Sequence, residues 1–154
     1  MSGRAELPEP VVDERGSKSG RPVPALGDPR PGPVAVMTVD DQPVFRDLAR
    51  LVLQTTPGFR SVGEFSSGEE ALEAIDDLKP QLVLVDVRMP GIGGIETARR
   101  IASAHPEIVV VLVSVEDPVD LPSAALSSGA VALVRKQDFG AVLLQELWSA
   151  HGEK

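Results

Sequence analysis

Short apolar runs rich in β-branched residues recur from residue 34 onward, and amphipathic stretches separate them. Four of these runs are continuous, which is typical of strands buried on both faces of a sheet. The four runs are Val34–Val39, Leu82–Val85, Ile108–Val113 and Val131–Val134. A fifth segment, Ser61 to Phe65, alternates polar and apolar residues, as expected of a strand at a sheet edge. The hydrophobic pattern therefore predicts five strands.

Apolar residues at helical spacing follow each predicted strand. The second helix follows a Ser-Ser-Gly-Glu-Glu segment, in which a capping box can join Ser66 to Glu69 or Ser67 to Glu70. The pattern thus predicts a strand and a helix five times in succession.

The last two helices have less regular signals. A short fourth helix is predicted from about Val119 to Ser128, where Gly129 stops it. For the fifth helix, Asp138 is the candidate N-cap, and Phe139 begins its apolar face. These two boundaries depend on local residue preferences more than on periodicity.

Strands that alternate with helices predict an α/β fold with a parallel sheet covered on both faces. Right-handed crossovers leave few topologies, and the flavodoxin-like order 2-1-3-4-5 places the weak second strand at an edge. We therefore expect a flavodoxin-like (βα)5 domain over residues 34–154. In this order, the carboxyl ends of strands 1, 3, 4 and 5 are neighbours.

Polar groups occupy those strand ends. Asp40 and Asp41 follow the first strand, Asp86 the third, Ser114 the fourth and Lys136 the fifth. Three clustered carboxylates repel one another, so they are expected chiefly around a hard cation. Each residue taken alone has an ordinary alternative: the first two could open a helix, and the other three could be turn, loop and surface residues.

Composition narrows the function classes. The length of 154 residues predicts one domain, and the absence of cysteine excludes disulfides and thiolate metal sites. A net charge of -8 argues against direct nucleic-acid binding. No apolar stretch is long enough to span a bilayer and the N-terminus lacks a signal-peptide core, so we expect a cytoplasmic protein without a membrane contact.

The first 33 residues differ from the rest of the chain. They hold 7 of the 14 prolines and 5 of the 14 glycines, and their 5 acidic and 5 basic residues cancel in charge. Their apolar surface is too small to offset the entropy of ordering. We predict that Met1 to Pro33 is a disordered tail, either a dispensable extension or a partner-binding segment.

Four motifs in order resemble the receiver domain of bacterial two-component response regulators. They are Val39-Asp40-Asp41, the segment Asp86 to Gly94, Leu112-Val113-Ser114, and the segment from Gly129 to Lys136. The resemblance spans about Val34 to Ala150, and its loops are most similar to receivers that carry a C-terminal helix-turn-helix output domain. Since the sequence stops at Lys154, it predicts a stand-alone receiver.

The resemblance implies a phosphoacceptor and a magnesium site. Asp86 would take a phosphoryl group from a phosphohistidine of a sensor histidine kinase or a phosphotransfer protein. Mg²⁺ would be bound by Asp41, Asp86 and the backbone carbonyl of Arg88, with Asp40 acting through a water. Lys136 and Ser114 would contact the phosphoryl oxygens, and movement of the serine would be the switch.

The same resemblance implies a signalling domain that is not an enzyme in the turnover sense. Its output would be phosphorylation-dependent binding to a protein whose identity the sequence leaves open, and a homodimer is compatible with it. Aspartyl-phosphate hydrolases with a similar nucleophile need a second acid two residues later, where this chain has Arg88.

Four positions bear on how this chain would differ from the family: two depart from its usual residues, and two are positions that tune dephosphorylation. Leu133 stands where the family has Tyr or Phe, and Val115 where it has Ala or Gly. Both departures favour an alternative, a pseudo-receiver that binds partners independently of phosphate. Arg88 and Glu116 occupy the positions that tune dephosphorylation, and we predict an ion pair between them that slows hydrolysis.

Overall fold

The computed structural model describes residues 32–152. The strands are β1 (Val34–Val39), β2 (Phe59–Phe65), β3 (Leu82–Asp86), β4 (Val109–Ser114) and β5 (Ala132–Arg135). The helices are α1 (Pro43–Thr55), α2 (Gly68–Leu78), α3 (Gly93–Ala104), α4 (Ser123–Leu126) and α5 (Ala141–His151). Two short 3-10 helices, Pro118–Asp120 and Lys136–Asp138, precede α4 and α5. The predicted tail, apart from Gly32 and Pro33, lies outside the described residues.

The five strands form one parallel sheet in the order β2-β1-β3-β4-β5, which confirms the flavodoxin-like prediction. In this register Val39 lies beside Val85, and Asp86 lies beside Val113. The chain therefore leaves β1 next to the last residue of β3. This alignment brings the acidic residues of both strand ends to one edge of the sheet.

Alternate residues of the central strands divide the core into two layers. On β3, Leu82 and Leu84 pack with α1 and α5, while Val83 and Val85 pack with α2, α3 and α4. All four side chains are fully buried. Burial of one such side chain stabilises the fold by about 1.5–3 kcal/mol, so the strand that ends in Asp86 is among the most firmly held.

The predicted fourth helix, Val119 to Ser128, is wrong as a continuous element. A 3-10 turn over Pro118–Asp120 is followed by a separate four-residue helix, Ser123–Leu126. Pro122 stands between them; it lacks an N–H and disfavours helical geometry at the residue before it. Leu121 is accordingly extended, with φ -84° and ψ 154°.

The predicted N-cap of the fifth helix, Asp138, is also wrong. Asp138 ends a 3-10 turn, and α5 begins at Ala141 after the N-cap Gly140. Phe139 is extended and buried, so the chain first directs this ring into the core and only then starts the helix. Burial of an aromatic ring outweighs a local capping preference.

One of the two predicted caps of α2 is present. The Ser67 hydroxyl accepts a hydrogen bond from the Glu70 N–H at 3.2 Å, as in the second predicted register. The Glu70 carboxylate, however, reaches the N–H of Ser66 at 3.2 Å, one residue before the cap.

No helix between residues 32 and 152 is both long enough and apolar enough to cross a membrane.

Candidate phosphoacceptor and metal site

Three carboxylates meet at the carboxyl edge of the sheet, as the sequence predicted. One oxygen from each of Asp40, Asp41 and Asp86 lies within 4.8 Å of the others. Asp40 is 0% exposed and Asp86 is 4% exposed, whereas Asp41 is partly exposed. The β1–β3 register produces this convergence, because it places the end of β1 beside that of β3.

Lys136 brings a positive charge to this cluster from the end of β5. Its Nζ lies 2.7 Å from Asp40 Oδ2 and 3.4 Å from Asp86 Oδ1, and its side chain is 13% exposed. The lysine was expected to pair with Asp86; it contacts both carboxylates and approaches Asp40 more closely. The lysine thus contacts two of the three carboxylates.

The balance of charge and burial raises the pKa of Asp86 to about 6. Burial is the largest cause, and the negative charge of Asp40 adds to it. The charge and hydrogen bond of Lys136 and a backbone hydrogen bond at Arg88 act in the opposite direction. The lysine therefore does not fully compensate for the burial of this carboxylate.

The donor chemistry of the cluster fits a hard divalent cation. Among residues 32–152, the buried Oδ1 of Asp41 has no hydrogen-bond partner, and Oδ2 of Asp40 faces the lysine ammonium without hydrogen-bond alignment. Such oxygens are costly to bury unless something binds them. Carboxylate oxygens are the ligands that Mg²⁺ prefers in proteins. The acidic cluster can therefore hold Mg²⁺.

The alternative in which these acids serve only to start α1 explains part of the geometry. Asp40 Oδ1 accepts the Gln42 N–H at 2.8 Å, and Arg46 Nη1 donates to the Asp40 carbonyl at 2.5 Å. Both contacts fix the β1–α1 turn. Neither contact involves the second oxygen of Asp40 or the carboxylate of Asp41, so helix initiation does not explain their position.

Ser114 ends β4 as predicted and is buried. Its Oγ accepts a hydrogen bond from the Glu116 N–H at 2.9 Å, which holds the loop after β4. The register places Ser114 beside Arg135, immediately before Lys136 on the neighbouring strand. The serine therefore shares the edge of the sheet with the lysine, while its oxygen is engaged with its own loop.

The predicted ion pair between Arg88 and Glu116 is present. Arg88 Nε lies 2.9 Å from Glu116 Oε1, and its Nη2 lies 3.3 Å from Oε2. The pair joins the loop after β3 to the loop after β4. Val115 is largely exposed beside it, whereas Leu133 is partly buried against the layer on the α3 side.

The loop that follows Asp86 is held by contacts that the sequence did not reveal. Glu69 Oε2, on α2, accepts the Ile92 N–H at 3.1 Å. At the start of α3, a Cβ added to Gly94 would lie 1.8 Å from the Asp86 carbonyl oxygen. Only glycine permits this close approach. The glycine-rich segment could indicate a tight turn, but no signal in the sequence identified Glu69 as its anchor.

Known proteins place this chain in a family. A family model described as response regulator receiver domain matches residues 36–147. The response regulator GacA of Pseudomonas viridiflava is 40% identical over 103 residues, which cover 67% of this chain and 48% of that protein. Protein-glutamate methylesterase/protein-glutamine glutaminase 1 of Syntrophus aciditrophicus is 36% identical over 110 residues, which cover 70% of this chain and 31% of that enzyme.

Comparison with solved structures also indicates a receiver domain. The signal receiver domain of NarL from Mycobacterium tuberculosis superposes with a TM-score of 0.72 at 29% identity, covering 80% of this chain and all of that domain. The chain spans about half or less of the length of the two relatives above. It belongs to the response regulator receiver domain family, the signalling module of two-component systems.

Proposed function

We propose that Asp86 accepts a phosphoryl group from a phosphohistidine in a Mg²⁺-dependent reaction, and that the phosphorylated domain signals by binding another protein. The observation that carries the proposal is the buried convergence of Asp40, Asp41 and Asp86 with Lys136. This arrangement combines a nucleophile, oxygen ligands for a hard cation and a fixed positive charge.

In the transfer, an Asp86 carboxylate oxygen attacks the phosphorus, the bond from phosphorus to the histidine nitrogen breaks, and the electron pair leaves with the imidazole. Two anions must approach each other, so positioning and charge neutralisation carry the reaction. Bound Mg²⁺ would neutralise the phosphoryl and carboxylate charges. Asp41, Asp86 and the Arg88 carbonyl would hold it, and Asp40 would act through a water.

Lys136 and Ser114 complete the proposed site. The ammonium that now faces Asp40 and Asp86 would turn to a phosphoryl oxygen once Asp86 carries the phosphoryl group as an acyl phosphate. Because the Ser114 oxygen accepts its hydrogen bond from Glu116, its own O–H remains free to donate to another phosphoryl oxygen. That new bond would draw the loop after β4 inward and transmit the signal.

The proposed partners are a sensor histidine kinase or histidine phosphotransfer protein on the input side and a protein on the output side. We propose that this domain acts in the cytoplasm as a signalling module, is not a turnover enzyme and does not bind nucleic acid directly. The supporting observations are the family and the acidic composition.

The decisive experiment is intact mass spectrometry after incubation with acetyl phosphate and Mg²⁺. We expect an adduct of about 80 Da on the wild-type protein and none on Asp86→Asn or without Mg²⁺. If acetyl phosphate gives no adduct, a purified histidine kinase is tried as donor. Failure with both would support the second candidate, the pseudo-receiver, which Leu133 and Val115 favour.

A further inference from the structure

The ion pairs of Lys136 leave one of its contacts unexplained. Its Nζ lies 5.1 Å from the centre of the Phe45 ring, within the range of a cation–π interaction. We propose that Phe45, supported by Phe139, is a positioning residue that holds the Lys136 ammonium for phosphoryl transfer. This inference rests on the function proposed above.

The two aromatic rings come from the elements that carry the charged groups. Phe45 lies in the first turn of α1, four residues after Asp41, and Phe139 lies three residues after Lys136. Their ring centres are 5.6 Å apart with the planes inclined by 58°, a favourable tilted arrangement. Both side chains are buried. The aromatic pair therefore links the β1–α1 end of the site to the β5–α5 end.

The backbone near Lys136 determines where Phe139 lies. The Phe139 N–H donates to the Lys136 carbonyl at 3.1 Å and closes the 3-10 turn. This turn delivers the lysine to the carboxylates and the phenylalanine to the ring of Phe45. It also explains why α5 begins only at Ala141, after Phe139 has entered the core.

The carboxylates alone cannot fix the lysine throughout the proposed reaction. Asp40 and Asp86 are its ionic partners, yet both belong to the oxygen cluster that would serve the metal ion, and phosphorylation would replace the Asp86 carboxylate by a phosphoryl group further from the strand end. A lysine side chain has a long, flexible stem. The face of Phe45 attracts the ammonium but offers no oxygen to a metal, so its hold on the lysine would persist from one state to the next.

The test compares Phe45→Leu, which keeps apolar volume but removes the ring, with Phe45→Tyr, which restores the ring. Phe59→Leu is the matched control, because Phe59 packs on the same core layer. With acetyl phosphate and Mg²⁺, we expect Phe45→Leu to be phosphorylated about tenfold more slowly and Phe45→Tyr and Phe59→Leu within about twofold of wild type. Circular dichroism identifies variants that remain folded, and Phe45→Met, which also removes the ring, replaces Phe45→Leu if the latter unfolds.

A second readout follows the contact itself, independently of activity. The chain has four lysines, so the ε-methylene signal of Lys136 can be assigned in an NMR spectrum by its loss in Lys136→Arg. The ring current of Phe45 should shift this signal upfield in wild type and Phe59→Leu, and Phe45→Leu should move it towards the signals of the other lysines.

These outcomes separate this inference from the proposed function. A wild-type phosphorylation rate in folded Phe45→Leu, or a Lys136 signal that stays in place, would overturn the positioning role. If wild-type protein accepts no phosphoryl group from acetyl phosphate or a kinase, the proposed function fails, and the NMR signal still decides whether the ring holds the lysine.

Discussion

The part of the domain up to Ser114 and the part after it are built differently. Strands β1, β3 and β4 are buried at every position, and helices α1 to α3 have 11 to 13 residues. After Ser114, α4 and β5 have four residues each, and β5 is only partly buried. Large apolar side chains are exposed in both parts: on α1 in the first, and from the loop after β4 to α5 in the second, where they are Val115, Val119, Leu126, Val131 and Val142.

This contrast bears on the site, because the site draws on both parts. The three carboxylates end the fully buried strands, whereas Leu133 and Lys136 come from the short, partly buried strand β5 and the 3-10 turn after it. Elements with few buried contacts open and shift at lower free energy than core strands do. We infer that the acidic pocket stays fixed while the loop and short elements between Ser114 and Lys136 shift, and that the contact with Phe45 limits the movement of the lysine itself.

The comparison is tested most strongly by truncating one leucine in each part. Leu84→Ala, in β3, should lower the free energy of unfolding by about 3–4 kcal/mol, because it removes a fully buried side chain and leaves a cavity. Leu126→Ala, in α4, should change it by less than about 0.5 kcal/mol, since that side chain is largely exposed. Urea unfolding measures both, and equal effects would refute the division.

Substitution of one glycine in each part tests the same difference through the space around the backbone. Gly94→Ala should destabilise the protein by about 2–3 kcal/mol, because its Cβ would collide with the Asp86 carbonyl oxygen 1.8 Å away. Gly140→Ala, in the second part, meets nothing within 4 Å and has an extended φ of -175°, so we expect a change below about 1 kcal/mol. Thermal unfolding of the two variants distinguishes these outcomes.

The first part was also the more predictable from the sequence. Long apolar runs made β1, β3 and β4 visible, and the parallel order then brought Asp40, Asp41 and Asp86 together. The second part was less predictable from the sequence. Pro122 divides the predicted fourth helix, and the tertiary burial of Phe139 displaces the predicted N-cap of the fifth. The contact of Lys136 with Phe45 was not foreseen, since a phenylalanine at helical spacing indicates a core residue.

The acidic pocket gives a pH dependence whose sign is fixed. The pKa of Asp86 is about 6 in the folded protein against 3.8 for an ordinary carboxyl. At Asp86 the folded state therefore binds more protons between these values. The contribution of Asp86 to stability is fully present below the lower pKa and is lost as the pH rises through the higher one. In the absence of divalent cations, Asp86→Asn should be more stable than wild type above pH 7 by about 2–3 kcal/mol.

This difference should disappear at a pH below the ordinary pKa of 3.8, where both states of wild type carry a protonated Asp86. Adding Mg²⁺ at neutral pH should also reduce it, because a cation that binds only the folded state stabilises wild type by mass action. Calorimetry across pH, with and without Mg²⁺, measures all three effects. If the difference in stability between Asp86→Asn and wild type does not depend on pH, charge repulsion and burial of the Asp86 carboxylate are not its cause.

The Arg88–Glu116 pair spans the loops on either side of the site, and its expected effect is the smallest. It is exposed, so Arg88→Ala or Glu116→Ala should alter stability by less than about 1 kcal/mol. Because we propose that the pair slows hydrolysis, each variant should shorten the lifetime of the phosphorylated form by a few-fold. The double variant should resemble the single ones, since either substitution already breaks the pair. Mass spectrometry measures this lifetime as the rate at which the phosphorylated mass is lost. An unchanged lifetime in all three variants would show that the ion pair is a loop contact without a kinetic role.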